Sequence, residues 1–321
     1  MTNNNKDSSY TELDQLDLTL IEELEVDARQ TSRDLGRKLG VSATTVSNRM
    51  RKMVENEIID FAVVTNHFAT GLRLMTLWGI KATSGKSSDV IEYFKGDPNV
   101  RNLGRFTGRY DVLMYTLFRD NEELLHWMIE RLSHAEDVLV AEPMTVIKVI
   151  THSSKYLHAD PDVLYRNVYP RLDKYDTKLI KELELEPRDT YESLGKKAGV
   201  SRQLAAKRLK KFMDTGVVRV FSLIDPLKLG YSVCAYIFIK VLLNRIMPVT
   251  IILADHPKVK YVSIITGASN IMIYAAFRDV DEMSCFLTDE LSIIPGIIGH
   301  ETMIQVGRVN GFYPFMNWCI D

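Results

Sequence analysis

The chain carries nearly the same sequence twice, and that repetition constrains its fold more than any single motif does. Asp17 returns as Asp176, 159 residues later, and the offset holds without an insertion to about Arg308. Leu20-Ile21 return as Leu179-Ile180, Leu35-Gly36 as Leu194-Gly195, and Gly40-Val41-Ser42 as Gly199-Val200-Ser201. Arg49 and Lys52 return as Arg208 and Lys211, Gly71 as Gly230, and Pro98 as Pro257. Thr107-Gly108 return as Thr266-Gly267, and Phe118-Arg119-Asp120 as Phe277-Arg278-Asp279. So long an ungapped register marks a tandem duplication. Each half must then hold a complete set of folding units.

The first unit reads as helices. Asp14 is a natural N-cap, Asp17 suits the first turn, and Leu16, Leu20, Ile21 and Leu24 form a core stripe. From Ser32 the pattern is helix, tight turn, helix: Leu35 and Leu39 mark a buried side, Gly40 suits a helix end, and Ser42 caps the second helix of the pair. Val46, Met50 and Met53 recur at i, i+4 and i+7 as one apolar stripe. Ile58, Ile59, Phe61 and Val63 then predict a short β-wing.

After about Gly71 the period changes. Strands are expected at Leu74–Lys81, Val100–Phe106, Val112–Phe118 and Val138–Val149. Helices are expected at Lys86–Lys95 and Asn121–Leu132, the latter with Leu124, Leu125, Met128 and Leu132 on one side. The order β-α-β-β-α-β is the ferredoxin-like arrangement, a four-stranded antiparallel sheet with two helices on one face. The fold class is α+β: a tandem repeat of a winged helix-turn-helix and a ferredoxin-like βαββαβ domain. The expected boundaries are a disordered leader at 1–10, helix-turn-helix units at 11–66 and 172–226, and ferredoxin-like units at 67–150 and 227–310. A linker at 151–171, with a short docked helix around Val163–Val168, and an aromatic tail at 311–321 complete the chain.

Composition narrows the setting. At 46% hydrophobic and 26% charged residues, the 321-residue chain has the make-up of an ordinary globular protein. The net charge of −2 means that any DNA-facing charge must be local. Cys234, Cys285 and Cys319 are scattered and odd in number, as expected of free thiols in a reducing compartment. The polar N-terminus lacks the apolar core of a signal peptide, and no stretch reaches the roughly 18 apolar residues of a membrane span. A cytoplasmic location is expected. The seven histidines show no metal-ligand spacing, and neither a nucleophile elbow nor a phosphate or dinucleotide fingerprint is present. No metal, cofactor or catalytic residue is expected.

The candidate sites lie on the helices and on one loop. Thr44, Thr45 and Asn48 stand where base edges can be reached, with Arg49, Arg51 and Lys52 placed for phosphates. The second copy offers Arg202, Gln203, Lys207, Arg208, Lys210 and Lys211, opposed only by Asp214. Arg and Gln make bidentate contacts to guanine and adenine, so Arg202 and Gln203 are the leading base readers. Solvated helix faces carry similar residues. Arg49 and Arg208 beside the apolar stripe can also serve as ion-pair partners within the unit. Since the two helices differ, an operator bound by both is expected to be an imperfect palindrome or two dissimilar half-sites, with centres about one helical turn, or a multiple, apart. In Thr107-Gly108-Arg109-Tyr110-Asp111, Arg109 and Asp111 have the charges to hold a zwitterion, although a β-hairpin turn that simply needs a glycine fits as well. The second loop, Thr266-Gly267-Ala268-Ser269-Asn270, lacks both charges.

Each half resembles the Lrp/AsnC family, the leucine-responsive and feast/famine regulators of bacteria and archaea. The resemblance rests on Leu13-Asp14-Gln15-Leu16-Asp17, on Leu39-Gly40-Val41-Ser42 with Arg49, on Ile58-Ile59, and on Thr107–Asp111. In the second half it rests on Leu172-Asp173 with Asp176, Gly199-Val200-Ser201 with Arg208, and Val217-Val218. It implies a winged-helix unit that binds double-stranded DNA, with a C-terminal α+β unit that binds an amino acid or related small molecule and drives oligomerisation. The effector residues it implies are Thr107, Gly108, Arg109, Tyr110, Asp111, Thr266, Gly267 and Asn270. Family members usually carry one copy and pair, so the tandem chain is expected to be a built-in pseudo-dimer, with sheets packed together and DNA units splayed apart, or a homo-oligomer. Two alternatives remain. One is a sirohaem decarboxylase-like enzyme of modified-haem biosynthesis, which resembles the same family and has two halves. The other is an amino-acid sensor that pairs with relatives without touching DNA.

Overall fold

The computed structural model describes residues 13–66, 71–152, 172–224 and 226–306. The leader, the expected helix at Val163–Val168 and the aromatic tail lie outside the described residues.

Three helices open the chain: α1 (Gln15–Val26), α2 (Ser32–Leu39) and α3 (Ala43–Glu55). Asp14 caps α1 in a reciprocal box with Asp17, Thr31 caps α2, and Ser42 caps α3 by accepting from the Thr45 N–H. Gly40 ends α2 at φ 70°. Leu20, Ile21, Leu24, Leu35, Val46, Met50 and Met53 pack into one small core, so the apolar stripes of all three helices converge. At Gly36 an added Cβ would lie 2.7 Å from the Val41 carbonyl oxygen, and at Gly195 2.8 Å from that of Val200. This close approach is what folds α3 back against α2.

The remaining elements come in chain order. The first half continues with β1 (Ile59–Thr65), β2 (Leu74–Ala82), α4 (Ser87–Phe94), β3 (Val100–Thr107), β4 (Val112–Phe118), α5 (Asn121–Glu130) and β5 (Val138–His152). The second half has α6 (Lys174–Leu185), α7 (Tyr191–Ala198), α8 (Arg202–Asp214), β6 (Val218–Ile224) and β7 (Val233–Val241). It ends with α9 (Ile246–Ala254), β8 (Val259–Ile265), β9 (Ile271–Phe277), α10 (Val280–Cys285) and β10 (Ile297–Gln305). Of the stripe expected on α5, Leu124, Met128 and Leu132 pack against the core beside the buried Trp127, and only Leu125 is exposed.

Two findings correct the expected arrangement. The strand expected to form a wing, β1, pairs antiparallel with its own repeat, β6, from Ile59↔Ile224 to Thr65↔Val218. The register is centred on Ala62↔Phe221, a residue and its own repeat, so the ladder sits on a pseudo-two-fold axis. The helix-turn-helix units are therefore joined, not splayed. Arg29 donates to the carbonyls of Pro187 (2.6 Å) and Asp189 (2.7 Å), while its repeat Arg188 donates to those of Ala28 and Gln30 (2.8 Å).

The second correction concerns the sheets. Each half has the ferredoxin-like strand order, β3-β4-β2-β5 and β8-β9-β7-β10. Instead of only stacking, they pair edge to edge, β5 with β8 and β10 with β3, into a closed eight-stranded barrel. Closure satisfies backbone groups that free edges would leave open. β5 is 15 residues long, so its first part pairs with β2 and its second with β8. The interior between the sheets is aromatic and sulfur-rich: Phe106, Tyr110, Tyr115, Tyr236, Phe238, Tyr261 and Tyr274 with Met144, Met272 and Met303.

Candidate nucleic-acid interface

The outward faces of α3 and α8 present the expected residues. Thr44, Asn48, Arg51 and Lys52 are exposed on α3, and Thr45 is half-buried with its hydroxyl 2.8 Å from Ser42 Oγ. Arg51 leans toward Glu55 at 3.6 Å. On α8, Arg202, Gln203, Lys207, Lys210 and Lys211 are exposed, and the four cations meet no carboxylate among the described residues. A helix face of free cations behind a capped N-terminus is suited to phosphate and base contact.

Arg49 and Arg208 stand apart from this set. Arg49 bridges Asp14 (2.7 Å) and Asp17 (2.9 Å) at the start of α1, and Arg208 bridges Asp173 (2.6 Å) and Asp176 (2.5 Å) at the start of α6. Within each unit the acids that cap the first helix also hold the recognition helix. The Asp14 carboxyl is held below its ordinary range by the Asp17 backbone N–H and by Arg49, and that of Asp173 by Arg208 and the Asp176 N–H. Both guanidiniums are shifted further toward the charged form by the same carboxylates. These two arginines are spent on internal pairing.

The α+β loops lie on the seams where the halves meet. Thr107 pairs with Ile304 of β10, and Gly108, at φ 117°, faces the Thr302 carbonyl. In the other seam the Thr266 hydroxyl accepts from the Thr145 N–H (2.8 Å) and the Thr266 N–H donates to the Thr145 carbonyl (2.9 Å). Gly267, at φ 119°, faces Met144. Both charges of the first loop already have partners within the fold. Arg109 pairs with Glu142 (2.7 Å) and lies 3.7 Å from Glu301, the repeat of Glu142. Asp111 pairs with Lys81 (2.9 Å) and accepts from the Ala82 N–H (2.9 Å). Asn270 likewise accepts from the Val241 N–H at 3.2 Å, so this strand-end contact needs an oxygen and not a charge. The Tyr110 hydroxyl donates to Glu142 (2.7 Å), and desolvation, then Glu142, raises its pKa.

Sequence reasoning missed Glu142 and Glu301, and also the reciprocal Arg29 and Arg188. The arginines did leave a signal, since both occupy one repeat position in the turn after a first helix. His126, His134 and His300 are exposed on separate elements, and His256 is 2.7 Å from Glu290. Among the described residues no three His, Cys, Asp or Glu are grouped to hold a metal, and no helix is long and apolar enough to cross a membrane.

Comparison with known proteins agrees with the repeat. Residues 13–54 match the AsnC-type helix-turn-helix domain, residues 172–219 a winged helix-turn-helix DNA-binding domain, and residues 234–311 the Lrp/AsnC ligand binding domain. An uncharacterised HTH-type transcriptional regulator of Pyrococcus furiosus is 33% identical over 41% of this chain and 90% of its own length. The HTH-type transcriptional regulator FL11 of Pyrococcus horikoshii is 32% identical over 41% of this chain and 88% of its own. Such relatives are one repeat long. Over the whole chain the fold is similar to the crystal structure of the siroheme decarboxylase NirDL, with a TM-score of 0.65 and 15% identity, covering 94% of this chain and 95% of that one.

Proposed function

From the premise that the chain belongs to the Lrp/AsnC family of transcriptional regulators, we propose that it grips one asymmetric operator in double-stranded DNA with α3 and α8 together. The observation that carries this reading is the β1–β6 ladder, which holds the two exposed recognition faces in one rigid relation. In α3, Thr44, Thr45 and Asn48 address bases while Arg51 and Lys52 address phosphates. In α8, Arg202 and Gln203 read bases and Lys207, Lys210 and Lys211 supply phosphate affinity. Arg49 and Arg208 act through position, by locking each recognition helix to the helix before it. Binding to fragments from the gene's own upstream region, selected without bias and measured across salt concentrations, tests the reading. A perfectly palindromic selected site would overturn simultaneous use of both helices.

The response to a small molecule belongs to the seam loops Thr107–Asp111 and Thr266–Asn270. An amino acid entering the first loop would exchange its ammonium for Lys81 at Asp111, or its carboxylate for Glu142 at Arg109. Such an exchange loosens one seam and not the other, and it is allosteric to the extent that ligand affinity differs between the two states. Calorimetry in which Asp111→Ala leaves amino-acid binding unchanged would remove the first loop as the site.

The full-length likeness in fold to a siroheme decarboxylase supports a second reading, an enzyme acting on a tetrapyrrole. Among the described residues, His126, His134 and His300 are exposed on separate elements and His256 is paired with Glu290, which favours the regulator over the enzyme. Absorbance after adding sirohaem distinguishes the two: a shifted Soret band with no upstream-DNA binding would favour the enzyme.

A further inference from the structure

α9 and its repeat partner α4 occupy the same place in the two halves and bury the same way. Val90 and Phe94 enter the core from α4, and Val249 and Leu253 from α9. Their outer faces differ completely. On α4 the outward positions are Ser88 and Glu92, with Tyr93 beside them, preceded by Thr83 and Ser84. At the repeat positions α9 carries Met247, Ile251 and Ile252, preceded by Leu242 and Leu243. Leu243 is 79% exposed, Ile251 52% and Met247 45%, spaced i, i+4, i+8 along one stripe. The turn beside them is tied in by the Leu242 N–H to the Gly296 carbonyl (2.9 Å), and on either side of that glycine Ile293 and Ile298 are exposed too.

Large exposed apolar faces mark interaction sites. The exposed area of these seven side chains is on the order of 700 Å², above the roughly 300–600 Å² of the largest apolar patch on a typical monomer. It is close to the about 800 Å² per partner that a standard stable interface buries. The face also lacks the features that would oppose pairing with itself. Arg245, at the start of α9, is turned back onto the Pro295 carbonyl at 3.3 Å, and the first carboxylate after the stripe is Asp255, beyond the last residue of the helix. Across a two-fold axis like meets like, so an uncharged aliphatic stripe is self-complementary.

We propose that α9, with Leu242, Leu243 and the flanking turn, is the contact through which two copies of this chain form a closed dimer. Because the repeat helix α4 is polar, this stripe occurs once in the tandem, and assembly through it stops at two chains carrying four helix-turn-helix units. The proposal stands apart from the reading of the DNA face and from the identity of any effector.

The test is the molar mass of the full chain by light scattering across micromolar concentrations. Two-chain mass is expected for the wild type. The variant Met247→Ser/Ile251→Glu/Ile252→Tyr grafts the α4 face, which the same fold already tolerates, and should give one-chain mass with an unchanged circular dichroism spectrum. If that variant fails to fold, Met247→Cys in a chain with Cys285→Ser and Cys319→Ser gives an independent readout. A short bis-maleimide should then join two full chains. One-chain mass for the wild type, growth beyond two chains, or absence of the cross-linked species would each overturn the proposal. Two-chain mass persisting in a folded graft would do so as well.

Discussion

In the first α+β unit the aromatic ring at the seam is supplied by the loop, as Tyr110 lies across Gly79 so closely that an added Cβ would sit 2.5 Å from the ring. In the second unit the repeat of Tyr110 is Ser269 and the repeat of Gly79 is Phe238, so the ring comes from the strand. Tyr110 and Phe238 belong to the same buried interior. A second pair of sites shows the same exchange. Asp97, nearly fully buried, accepts from Trp127 Nε1 (3.1 Å) and pairs with Arg131 (3.0 Å). At the repeat positions stand His256, Phe286 and Glu290: the acid and the base have changed places, and the His256 ring packs edge-on to Phe286. The interior thus tolerates exchange of parts when volume and charge are conserved as a sum. The outer faces, as on α4 and α9, obey no such rule and have diverged freely.

The largest expected effect comes from breaking one exchange without its complement. Gly79→Phe alone should cost about 3 kcal/mol through overpacking against Tyr110. Gly79→Phe with Tyr110→Ser should recover most of that loss, and a double-mutant cycle by chemical denaturation measures the coupling. Additivity of the two changes would break the comparison. Next, Asp97→Ala should cost about 2 kcal/mol, since it strands the Trp127 N–H and leaves Arg131 half-exposed without its partner. Asp97→His with Arg131→Glu imports the second half's pair and should be less damaging than Asp97→Ala by the same measurement.

A third pair of changes extends the comparison to the DNA face. Arg202→Ala should weaken operator binding about tenfold, near 1.4 kcal/mol, and Thr44→Ala by less, as read by fluorescence anisotropy. Equal losses would argue that the two recognition helices have not divided their roles.

The smallest effect concerns a carboxyl that the duplication treated unequally. Glu184 accepts from the Thr65 hydroxyl at 2.7 Å, but the repeat of Thr65 is Ile224, which has no hydroxyl to offer. The first-half counterpart Glu25 has a shielded Oε2 without a hydrogen-bond partner, and burial pushes its pKa up to about 9 against the opposing pull of Lys260. Between the ordinary value of 4.5 and about 9, the folded chain holds a proton that the unfolded chain releases. Stability therefore falls as pH rises across that window. Glu25→Gln should raise the melting temperature by a few degrees at pH 8 and leave it unchanged at pH 4. Identical shifts at both values would mean that Glu25 is solvated.

Much of this architecture was legible from residues close in sequence. The capping boxes at Asp14 and Asp173, the glycine ends at Gly40 and Gly199, and the stripe Val46-Met50-Met53 are local patterns, and all stand where periodicity puts them. What escaped depends on partners far along the chain. Asp111 looks like a ligand for an ammonium until β2 is in register beside it, whereupon the Ala82 N–H and Lys81 take its oxygens. Glu142 carries no signal within its strand, because the guanidinium it meets belongs to a loop 33 residues away. β1 has the composition of any short strand, and nothing local says that its neighbour is its own repeat.

That pairing of β1 with β6 has a consequence for how occupancy responds to dose. Two recognition helices brought together by subunit association separate on dilution, and their joint binding rises with the square of protein concentration. Here the ladder closes inside a single polypeptide, so no concentration term enters it. Under the proposed two-helix reading, one molecule arriving at the DNA would bring both reading heads already spaced, with no association step needed to join them.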